Sequence, residues 1–368
     1  MDNKALNVAI LIPAYNPPPA LIDYVEQLIA SGAKRILIVN DGSAPEYEPT
    51  FSRLEENAFC TVLRHPANQG KGAALKTGFR YYLQHYCDSF RGVVMADADG
   101  QHRIEDILHI ESLLQEDAGE IILGCRDFDL PEVPWRSRFG NGLSGAVFRF
   151  LYGGSLRDTQ TGLRGLPNKQ LTWISELPGN RFEYEINMLI YCRKRNVALR
   201  EVPISTIYFD NNAGSHFRTF RDVKPIFLAL MSGLFEYAFS AICGGVVDLG
   251  IFLLLNAMLS DMPNTGLRLA ISLSVARICS SIPNFLLNHR RVFDSQRRKR
   301  SSAPRYYCLW LAQLTAAWIL VWLGERTLPL HVGWIKIIVD FILMIISYQI
   351  QLRWVFAKQD VERSVACS

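Results

Sequence analysis

The stretch Gly92-Val-Val-Met-Ala-Asp-Ala-Asp-Gly-Gln-His102 runs from a short apolar strand directly into two carboxylates. Asp97 and Asp99 stand at i and i+2, so both can share one divalent cation with phosphate oxygens. Mg²⁺ and Mn²⁺ prefer oxygen ligands, and the amide of Gln101 can supply one more. An Asp-x-Asp pair alone is common in surface turns, but its position directly after a predicted strand indicates a metal site.

Short apolar runs alternate with helical patterns throughout the first half of the chain. Strands are predicted at Val8–Ile12, Arg35–Val39, Thr61–Arg64, Gly92–Ala96 and Glu120–Leu123. Helices are predicted at Ala20–Ala30, Ala73–Tyr86 and Ile104–Gln115. This alternation predicts an α/β domain whose mainly parallel sheet is covered on both faces. Such sheets bind their ligands just beyond the carboxyl ends of the strands.

Polar residues also follow two other predicted strands. Asp41 lies in Val39-Asn-Asp-Gly-Ser43, where it could hydrogen-bond a ribose or a base, although Asp-Gly-Ser is also ordinary turn chemistry. The first strand is followed by Pro13, Tyr15 and Asn16. The ring of Tyr15 could stack on a base.

A glycine-rich segment, Asn68–Gly78, leads into the second predicted helix. It does not match the phosphate-loop pattern G-x-x-x-x-G-K-[ST]. We interpret it as a turn that glycine permits, with Lys71 close to a nucleotide.

Charge and cysteine content exclude several classes of protein. A formal net charge of +4 over 368 residues is too small to indicate nucleic-acid binding. The eight cysteines are scattered without a C-x-x-C pair, so cysteine metal-ligand spacing is absent and a reduced, cytoplasmic soluble part is predicted. Hydrophobic residues make up 49% of the chain and are concentrated in its second half, which indicates a membrane-embedded region.

Four apolar segments in the second half are each close to the ~20 residues that cross a bilayer as a helix. They are Phe235–Leu259, Leu267–Leu287, Tyr306–Leu323 and Trp334–Ile350. Seven basic residues crowd between His289 and Arg305, in the second of the three connections. The basic side stays in the cytoplasm, which predicts a multi-pass protein of the cell membrane with both termini inside. The predicted division is a cytoplasmic domain (1–216), an interfacial amphipathic segment (217–232) and a membrane domain (233–358).

Two further features lie in the membrane half. The stretch Phe285–Phe293 matches Tyr348–Phe356 in pattern, which predicts two similar helical hairpins in the same orientation. Asp248 and Arg277 fall near the middle of adjacent antiparallel spans. A lone charge at that depth is costly, so the two side chains are predicted to face each other.

Several segments, in this order, resemble glycosyltransferase family 2 with a GT-A fold, in the polyprenyl-phosphate branch that includes dolichol-phosphate mannose synthase. The matching segments are 13–16, 40–43, 68–73, 97–102, 124–126, 137–141, 158–164 and 182–185. The membrane half resembles GtrA-type domains, above all at Asn284–Phe293. The resemblance implies an α/β GT-A (Rossmann-like) catalytic domain followed by an all-α domain of four transmembrane helices.

The same resemblance implies a role for each matched residue. The nucleotide sugar would be bound by Pro13, Tyr15, Asn16, Asp41, Lys71 and Asp97. Mg²⁺ or Mn²⁺ would be held by Asp97, Asp99 and Gln101. The acceptor phosphate would be bound by Arg126, Arg138, Arg164 and His216, and Arg136 also lies in the stretches expected to surround it. The residues implied to be catalytic are Asp97, Asp99, Arg126 and Arg138.

The sequence is compatible with more than one function and more than one pair of substrates. The GtrA-like domain could anchor the enzyme or also flip its lipid-linked product, and a processive polysaccharide synthase is a third possibility. The latter class carries a Gln-x-x-Arg-Trp segment that the soluble half lacks. The donor could be a UDP-hexose or GDP-mannose, and the acceptor undecaprenyl or dolichyl phosphate. The expected partners are these two substrates and the lipid bilayer, with no nucleic acid, and a homo-oligomer also remains open.

Overall fold

The computed structural model describes residues 7–114, 119–130, 133, 135–205, 219–293 and 299–357. The chain divides into two compact units. One consists of Met1–Arg149 with Gly154–Leu230, and the other of Phe150–Gly153 with Met231–Ser368.

The first unit is built on a seven-stranded sheet with the strand order β3-β2-β1-β4-β6-β5-β7. The strands are β1 (Ala9–Ala14), β2 (Ile36–Asn40), β3 (Cys60–Arg64), β4 (Gly92–Met95), β5 (Ile121–Arg126), β6 (Arg164–Pro167) and β7 (Leu199–Ile204). β6 runs antiparallel to both of its neighbours, and the other pairs are parallel. All five predicted strands are therefore confirmed, although most of their ends are shifted by a few residues.

The helices that connect or follow these strands are α1 (Leu21–Ala30), α2 (Glu48–Glu55), α3 (Lys71–His85), α4 (Ile104–Leu114), α5 (Trp135–Tyr152), α6 (Asn168–Ile174) and α7 (Glu183–Arg195). The three predicted helices correspond to α1, α3 and α4. α3 starts two residues earlier than predicted, so Lys71 is its first residue.

The centre of the sheet forms the core because β1, β2 and β4 consist almost entirely of apolar residues. Every residue of β2 and β4 is buried, as expected for strands covered on both faces. The register pairs Ala14 with Asn40 and Leu11 with Met95, so β1, β2 and β4 end at the same edge of the sheet. The polar segments after Ala14, Asn40 and Met95 therefore meet at that edge.

The second unit is helical and contains α8 (Thr219–Met258) from Met231 onward, α9 (Thr265–Leu287), α10 (Lys299–Thr327) and α11 (Val332–Ile350). Among the described residues, three helical stretches are long and apolar enough to cross a membrane: Val223–Met258, Lys299–Thr327 and Ile337–Val355. α9 corresponds to the second predicted span, Leu267–Leu287, but is not one of these three stretches, and its sequence carries Arg268, Arg277 and four serines. The chain is a membrane protein.

The predicted interfacial segment at 217–232 is not a separate helix. Its described part continues without a break into the first span, because α8 runs over 40 residues from Thr219. The single proline within α8, Pro225, lies near its start and does not end it.

The structure brings the predicted charge pair together. Nε of Arg277 lies 3.7 Å from Oδ2 of Asp248, an ion pair slightly longer than a hydrogen bond. The hydroxyl of Ser280 donates to Oδ1 of Asp248 at 3.1 Å and lies 3.2 Å from the carbonyl oxygen of Arg277. Ser280 therefore bridges the two residues.

The sequence repeat reappears as a structural repeat. α9 ends in a π-helical turn at Asn288–Val292, and α11 ends in another at Gln351–Val355. These turns occupy the same positions in the two matching stretches, residues 285–293 and 348–356, which we call the first and second repeat.

Candidate active site

A cluster of charged side chains in the first unit surrounds Asp97, which follows β4. Nζ of Lys71 lies 2.7 Å from Oδ1 of Asp97 and 3.0 Å from Oε1 of Glu185. His102 Nε2 is 3.5 Å from Oδ2 of Asp97, within ion-pair distance when the ring is protonated. Helix α3 supplies Lys71 and α7 supplies Glu185, so the ammonium group of Lys71 joins these two helices to the end of the sheet.

Burial and neighbouring charge set the protonation of this cluster. Burial opposes the charged form of Lys71, but the carboxylates of Asp97 and Glu185 outweigh it and raise the lysine pKa. Burial likewise opposes ionisation of Asp97, yet Lys71 and His102 hold its pKa well below the usual range. The pKa of Asp99 is raised, first by burial and then by the negative charge of Asp97. The cluster therefore holds an ionised Asp97 beside an Asp99 whose negative charge is poorly compensated.

These residues fit a cation that arrives with a nucleotide. Within the described ranges, no group of three or more His, Cys, Asp or Glu side chains is arranged to hold a metal ion. Mg²⁺ commonly binds through one or two carboxylates and completes its shell with substrate phosphates and water. Asp97 and Asp99 provide those two carboxylates, and a cation would relieve their mutual repulsion. Gln101 lies next to them, and its backbone N–H donates to Oδ1 of Asp99 at 3.1 Å.

A glycine packs directly against Asp97. A Cβ atom added to Gly162 would collide with the Asp97 carboxylate. Because Thr161 and Leu163 on either side of the glycine are buried, the carboxylate would have to move. Gly162 therefore fixes where the Asp97 oxygens lie.

Replacing Gly162 with Ala is expected to lower kcat/KM for the sugar transfer that the resemblance implies about 100-fold, since a displacement of ~1 Å at a reacting centre can cost that much. Steady-state kinetics of the purified protein measures it. Gly142→Ala is the matched control, because a Cβ there meets nothing within 4 Å. Equal activity of both variants would contradict the close packing against Asp97.

Asp41 organises the loop that precedes Lys71. Its carboxylate accepts the backbone N–H groups of Gln69 at 2.9 Å and Gly70 at 2.7 Å, and Nδ1 of His65 lies 2.7 Å away. The side chain is buried. These contacts show that Asp41 positions the start of α3, and its contact with a nucleoside stays a prediction.

The loops after β1 and β2 are joined to each other. The hydroxyl of Ser43 accepts the N–H of Asn16 at 2.8 Å, and Oδ1 of Asn16 accepts the N–H of Ala44 at 2.9 Å. Asn16 adopts a positive φ of 45°, which asparagine tolerates better than most residues. Tyr15 is exposed and Pro13 is half-buried at this edge. The predicted nucleotide-binding residues are thus assembled along one edge of the sheet.

The predicted acceptor arginines lie in three different environments. Arg126 makes a bidentate pair with the fully buried Asp158, with Nε 2.7 Å from Oδ2 and an Nη atom 3.0 Å from Oδ1. Arg138 is exposed on α5 and donates to the carbonyl oxygen of Leu130 at 3.0 Å. Arg164 is 0% exposed and donates to the carbonyl oxygens of Thr161 and Glu185.

The placement of Arg164 does not support the role predicted for it. It lies in β6 between two other strands and its side chain is fully buried, so an acceptor phosphate cannot contact its guanidinium in this conformation. The side chain of Arg136 and the whole of His216 lie outside the described residues. Arg126 and Arg138 stay as the predicted acceptor-binding pair.

Three residues of the site had no role assigned from sequence: Gly162, Asp158 and Glu185. All three lie in segments that carried the family resemblance, 158–164 and 182–185. Their place in these matching segments is the sequence feature that could have pointed to them. Their contact partners are far away in the sequence, and only the fold shows which residues they contact.

Comparison with known proteins agrees with this architecture. Residues 9–165 match the family described as Glycosyl transferase family 2, and residues 236–356 match the GtrA/DPMS transmembrane domain. An uncharacterized protein of Methanocaldococcus jannaschii is 28% identical over 234 residues, covering 62% of this chain and 93% of that protein.

Several relatives carry functional names, among them the following two. The UDP-N-acetylglucosamine–dolichyl-phosphate N-acetylglucosaminyltransferase of Methanococcus voltae is 31% identical over 220 residues, covering 55% of this chain and 86% of the relative. The dolichyl-phosphate beta-glucosyltransferase of Dictyostelium discoideum is 27% identical over 239 residues, covering 58% and 69% respectively. The mixed seven-stranded sheet with its helices is the GT-A, Rossmann-like fold that the sequence predicts. The chain belongs to glycosyl transferase family 2, in the branch of polyprenyl-phosphate sugar transferases, and carries a GtrA-like transmembrane domain.

Proposed function

We propose that this glycosyltransferase moves one sugar from a nucleotide donor onto a polyprenyl phosphate, with Mg²⁺ or Mn²⁺ and with inversion at the anomeric carbon. The observation that carries the proposal is the cluster in which Lys71 joins Asp97 to Glu185, next to Asp99. The cluster offers carboxylates that can hold a metal cation, and Lys71 adds a fixed positive charge. A departing nucleoside diphosphate requires both kinds of charge compensation. The functional names of the relatives support the choice of a lipid phosphate acceptor.

The proposed chemistry needs no strong general base. A phosphate monoester has a second pKa near ~6 and is largely dianionic at neutral pH, so it is already a nucleophile. What it needs is orientation and charge compensation, which Arg126 and Arg138 would provide. The buried Asp158 holds the Arg126 guanidinium in one orientation. A bound divalent cation would neutralise the leaving diphosphate, and Asp97 and Asp99 would hold it.

Replacing Arg138 with Ala is expected to raise KM for polyprenyl phosphate about 10- to 100-fold, with little change in donor affinity. A hydrogen bond to a charged group contributes about 1.5–3 kcal/mol, which corresponds to that range. Initial-rate kinetics with each substrate varied in turn measures both effects. Arg149→Ala is the control, because Arg149 is an exposed arginine of the same helix. A collapse of donor affinity instead would assign Arg138 to the other substrate.

The exposed face of α5 supports contact with a bilayer. Trp135, Phe139 and Leu143 recur at helical spacing and are 70%, 64% and 55% exposed. A contiguous exposed apolar stripe is typical of protein or membrane contact, and tryptophan favours the membrane interface.

Leu143→Asp is therefore expected to lower transfer to polyprenyl phosphate in vesicles about tenfold, since burying a leucine contributes about 1.5–3 kcal/mol. Transfer to a short, water-soluble prenyl phosphate should change little. Phe59→Asp replaces another exposed apolar side chain of the same unit and serves as the control. If Leu143→Asp impaired both acceptors equally, the stripe would not be a membrane contact.

The remaining finer features belong to the same proposal. The catalytic unit and both termini would lie in the cytoplasm, because the basic connection from 289 to 305 separates the second and third predicted spans. A flipping activity of the membrane domain is the second candidate, which the charged residues within its helices favour. Reconstitution separates the two, since an anchor leaves product on the synthesis side and a flippase exposes it on both.

A further inference from the structure

His65 directly follows β3 and is not one of the residues expected to contact a substrate. Its side chain is only 8% exposed. Nδ1 lies 2.7 Å from Oδ1 of Asp41, which follows β2, and Nε2 lies 2.9 Å from the hydroxyl oxygen of Thr77 in α3. The backbone N–H of His65 donates to the carbonyl oxygen of Asn40 at 2.9 Å. His65 therefore connects the ends of two neighbouring strands with the helix that carries Lys71.

The partners of His65 determine which ring nitrogen carries a proton. Both oxygens of Asp41 accept backbone N–H groups, from Gln69 at 2.9 Å and from Gly70 at 2.7 Å. A carboxylate in that role also accepts from the ring, so Nδ1 of His65 carries a proton. In the neutral ring Nε2 is then the acceptor, and the hydroxyl of Thr77 is its donor. One tautomer and one ring orientation are thereby selected.

The segment 65–70 is held by Asp41 at both of its ends. The histidine ring contacts the carboxylate at the start of the segment, and two backbone N–H groups contact it at the end. A Cβ atom added to Gly42 would collide with the backbone of Ala67, so the middle of the segment packs closely on the turn after β2. Because residues 66–69 are exposed, the segment depends on these contacts for its shape.

The position of Lys71 depends on the same segment. Lys71 directly follows it and is the first residue of α3. Its Nζ lies 2.7 Å from Oδ1 of Asp97 and 3.0 Å from Oε1 of Glu185. A displacement of the segment would therefore move the ammonium group that lies between these two carboxylates.

We propose that His65 is a positioning residue for donor binding and transfer. It contacts neither substrate, and it acts by holding Asp41 and the segment 65–70 so that Lys71 stays beside the diphosphate of the donor. This inference rests on the proposed function and adds to it a residue that acts only through others.

Two variants of the full-length protein, His65→Leu and His65→Asn, test this role through nucleotide binding. Leucine has no donor, whereas the amide of asparagine can donate to Asp41 from about the position of Nδ1. Titration calorimetry with Mn²⁺ measures the affinity for UDP and for GDP. His65→Leu should weaken the better-bound nucleotide about 10- to 100-fold, the range that a lost hydrogen bond to a charged group corresponds to. His65→Asn should retain most of the affinity.

A matched control is His85→Leu, which changes an exposed histidine of α3 and should leave the nucleotide affinity unchanged. Equal defects of His65→Leu and His65→Asn would overturn the proposal, because the hydrogen bond to Asp41 would then not be the cause.

Steady-state kinetics separates positioning from a merely structural role. In His65→Leu the KM for the nucleotide sugar should rise and kcat should fall, with the KM for polyprenyl phosphate unchanged. A merely structural role would lower the fraction of active protein and leave both KM values unchanged, and that result would overturn the proposal. Absence of transfer by the wild-type protein would contradict the proposed function instead, and the nucleotide affinities would still test His65.

A spectroscopic measurement on the wild-type protein covers the case in which His65→Leu does not fold. NMR of the protein labelled with ¹⁵N-histidine reports which ring nitrogens carry a proton, and the His65 signal is identified by its loss in His65→Asn. Nδ1 should carry a proton, and Thr77→Val should shift the Nε2 signal because it removes the hydroxyl donor. A ring with its proton on Nε2 alone would overturn the proposal.

Discussion

Replacing Asp99 with Asn should reduce sugar transfer at least ~10³-fold while the protein stays folded. The cation contributes several kcal/mol of charge stabilisation to the departing diphosphate, and each 1.36 kcal/mol corresponds to a tenfold change in rate. Asp99 accepts a backbone hydrogen bond from the nearby Gln101, a local contact that an asparagine oxygen can replace, so the fold should stay intact. Transfer rates over a range of Mg²⁺ and Mn²⁺ concentrations, with circular dichroism as a folding check, measure the effect.

A nearby acid provides the control for this prediction. Glu105 is exposed in the first turn of α4, so Glu105→Gln removes a neighbouring negative charge without touching the cluster. It should retain near-normal activity. Undiminished transfer by Asp99→Asn in the presence of EDTA would refute metal dependence through this residue.

Lys71→Met should destabilise the catalytic unit by about 3–5 kcal/mol, because it leaves the carboxylates of Asp97 and Glu185 without their shared cation. For a unit of this size, that corresponds to a fall in Tm of roughly 10 °C. Differential scanning calorimetry of the purified protein measures it. Activity should fall as well, since Asp97 is then held less firmly.

Two further variants make the Lys71 result interpretable. Lys76→Met changes another lysine of the same helix, whose Nζ contacts the neutral Oδ1 of Asn180 at 2.7 Å. This variant should lower the stability of the unit much less than Lys71→Met. Adding Glu185→Gln to Lys71→Met should restore part of the lost stability, because one stranded charge is removed. If Lys71→Met and Lys76→Met had equal effects, the buried bridge would not stabilise the unit.

The parts of the fold that sequence predicts are those with a local pattern. β1, β2 and β4 are short apolar runs followed by polar turns, and burial on both faces explains that composition. Because parallel strands end at one edge, the strand pattern alone predicts that Asp41 and Asp97 lie in one neighbourhood. The π-helical turns lie in the two stretches that matched in sequence.

The parts that sequence could not predict depend on distant contacts. β6 consists of Arg164-Gly-Leu-Pro167, which has no strand alternation and contains a proline, yet it inserts antiparallel between β4 and β5. An arginine in such a segment is expected at the surface, but this one is fully buried. The bridge from Lys71 to Glu185 joins two helices far apart in the chain, and no periodicity encodes it.

The most direct measurement is transfer by the purified full-length protein in nanodiscs that contain undecaprenyl phosphate and Mg²⁺ or Mn²⁺. Radiolabelled UDP-glucose, UDP-galactose, UDP-N-acetylglucosamine and GDP-mannose would be tested one at a time, with the lipid product identified by mass spectrometry. We expect one donor to yield undecaprenyl phosphate bearing a single sugar, and omission of lipid phosphate or metal to abolish this product. A polymeric product, or equal sugar release without lipid phosphate, would contradict this expectation.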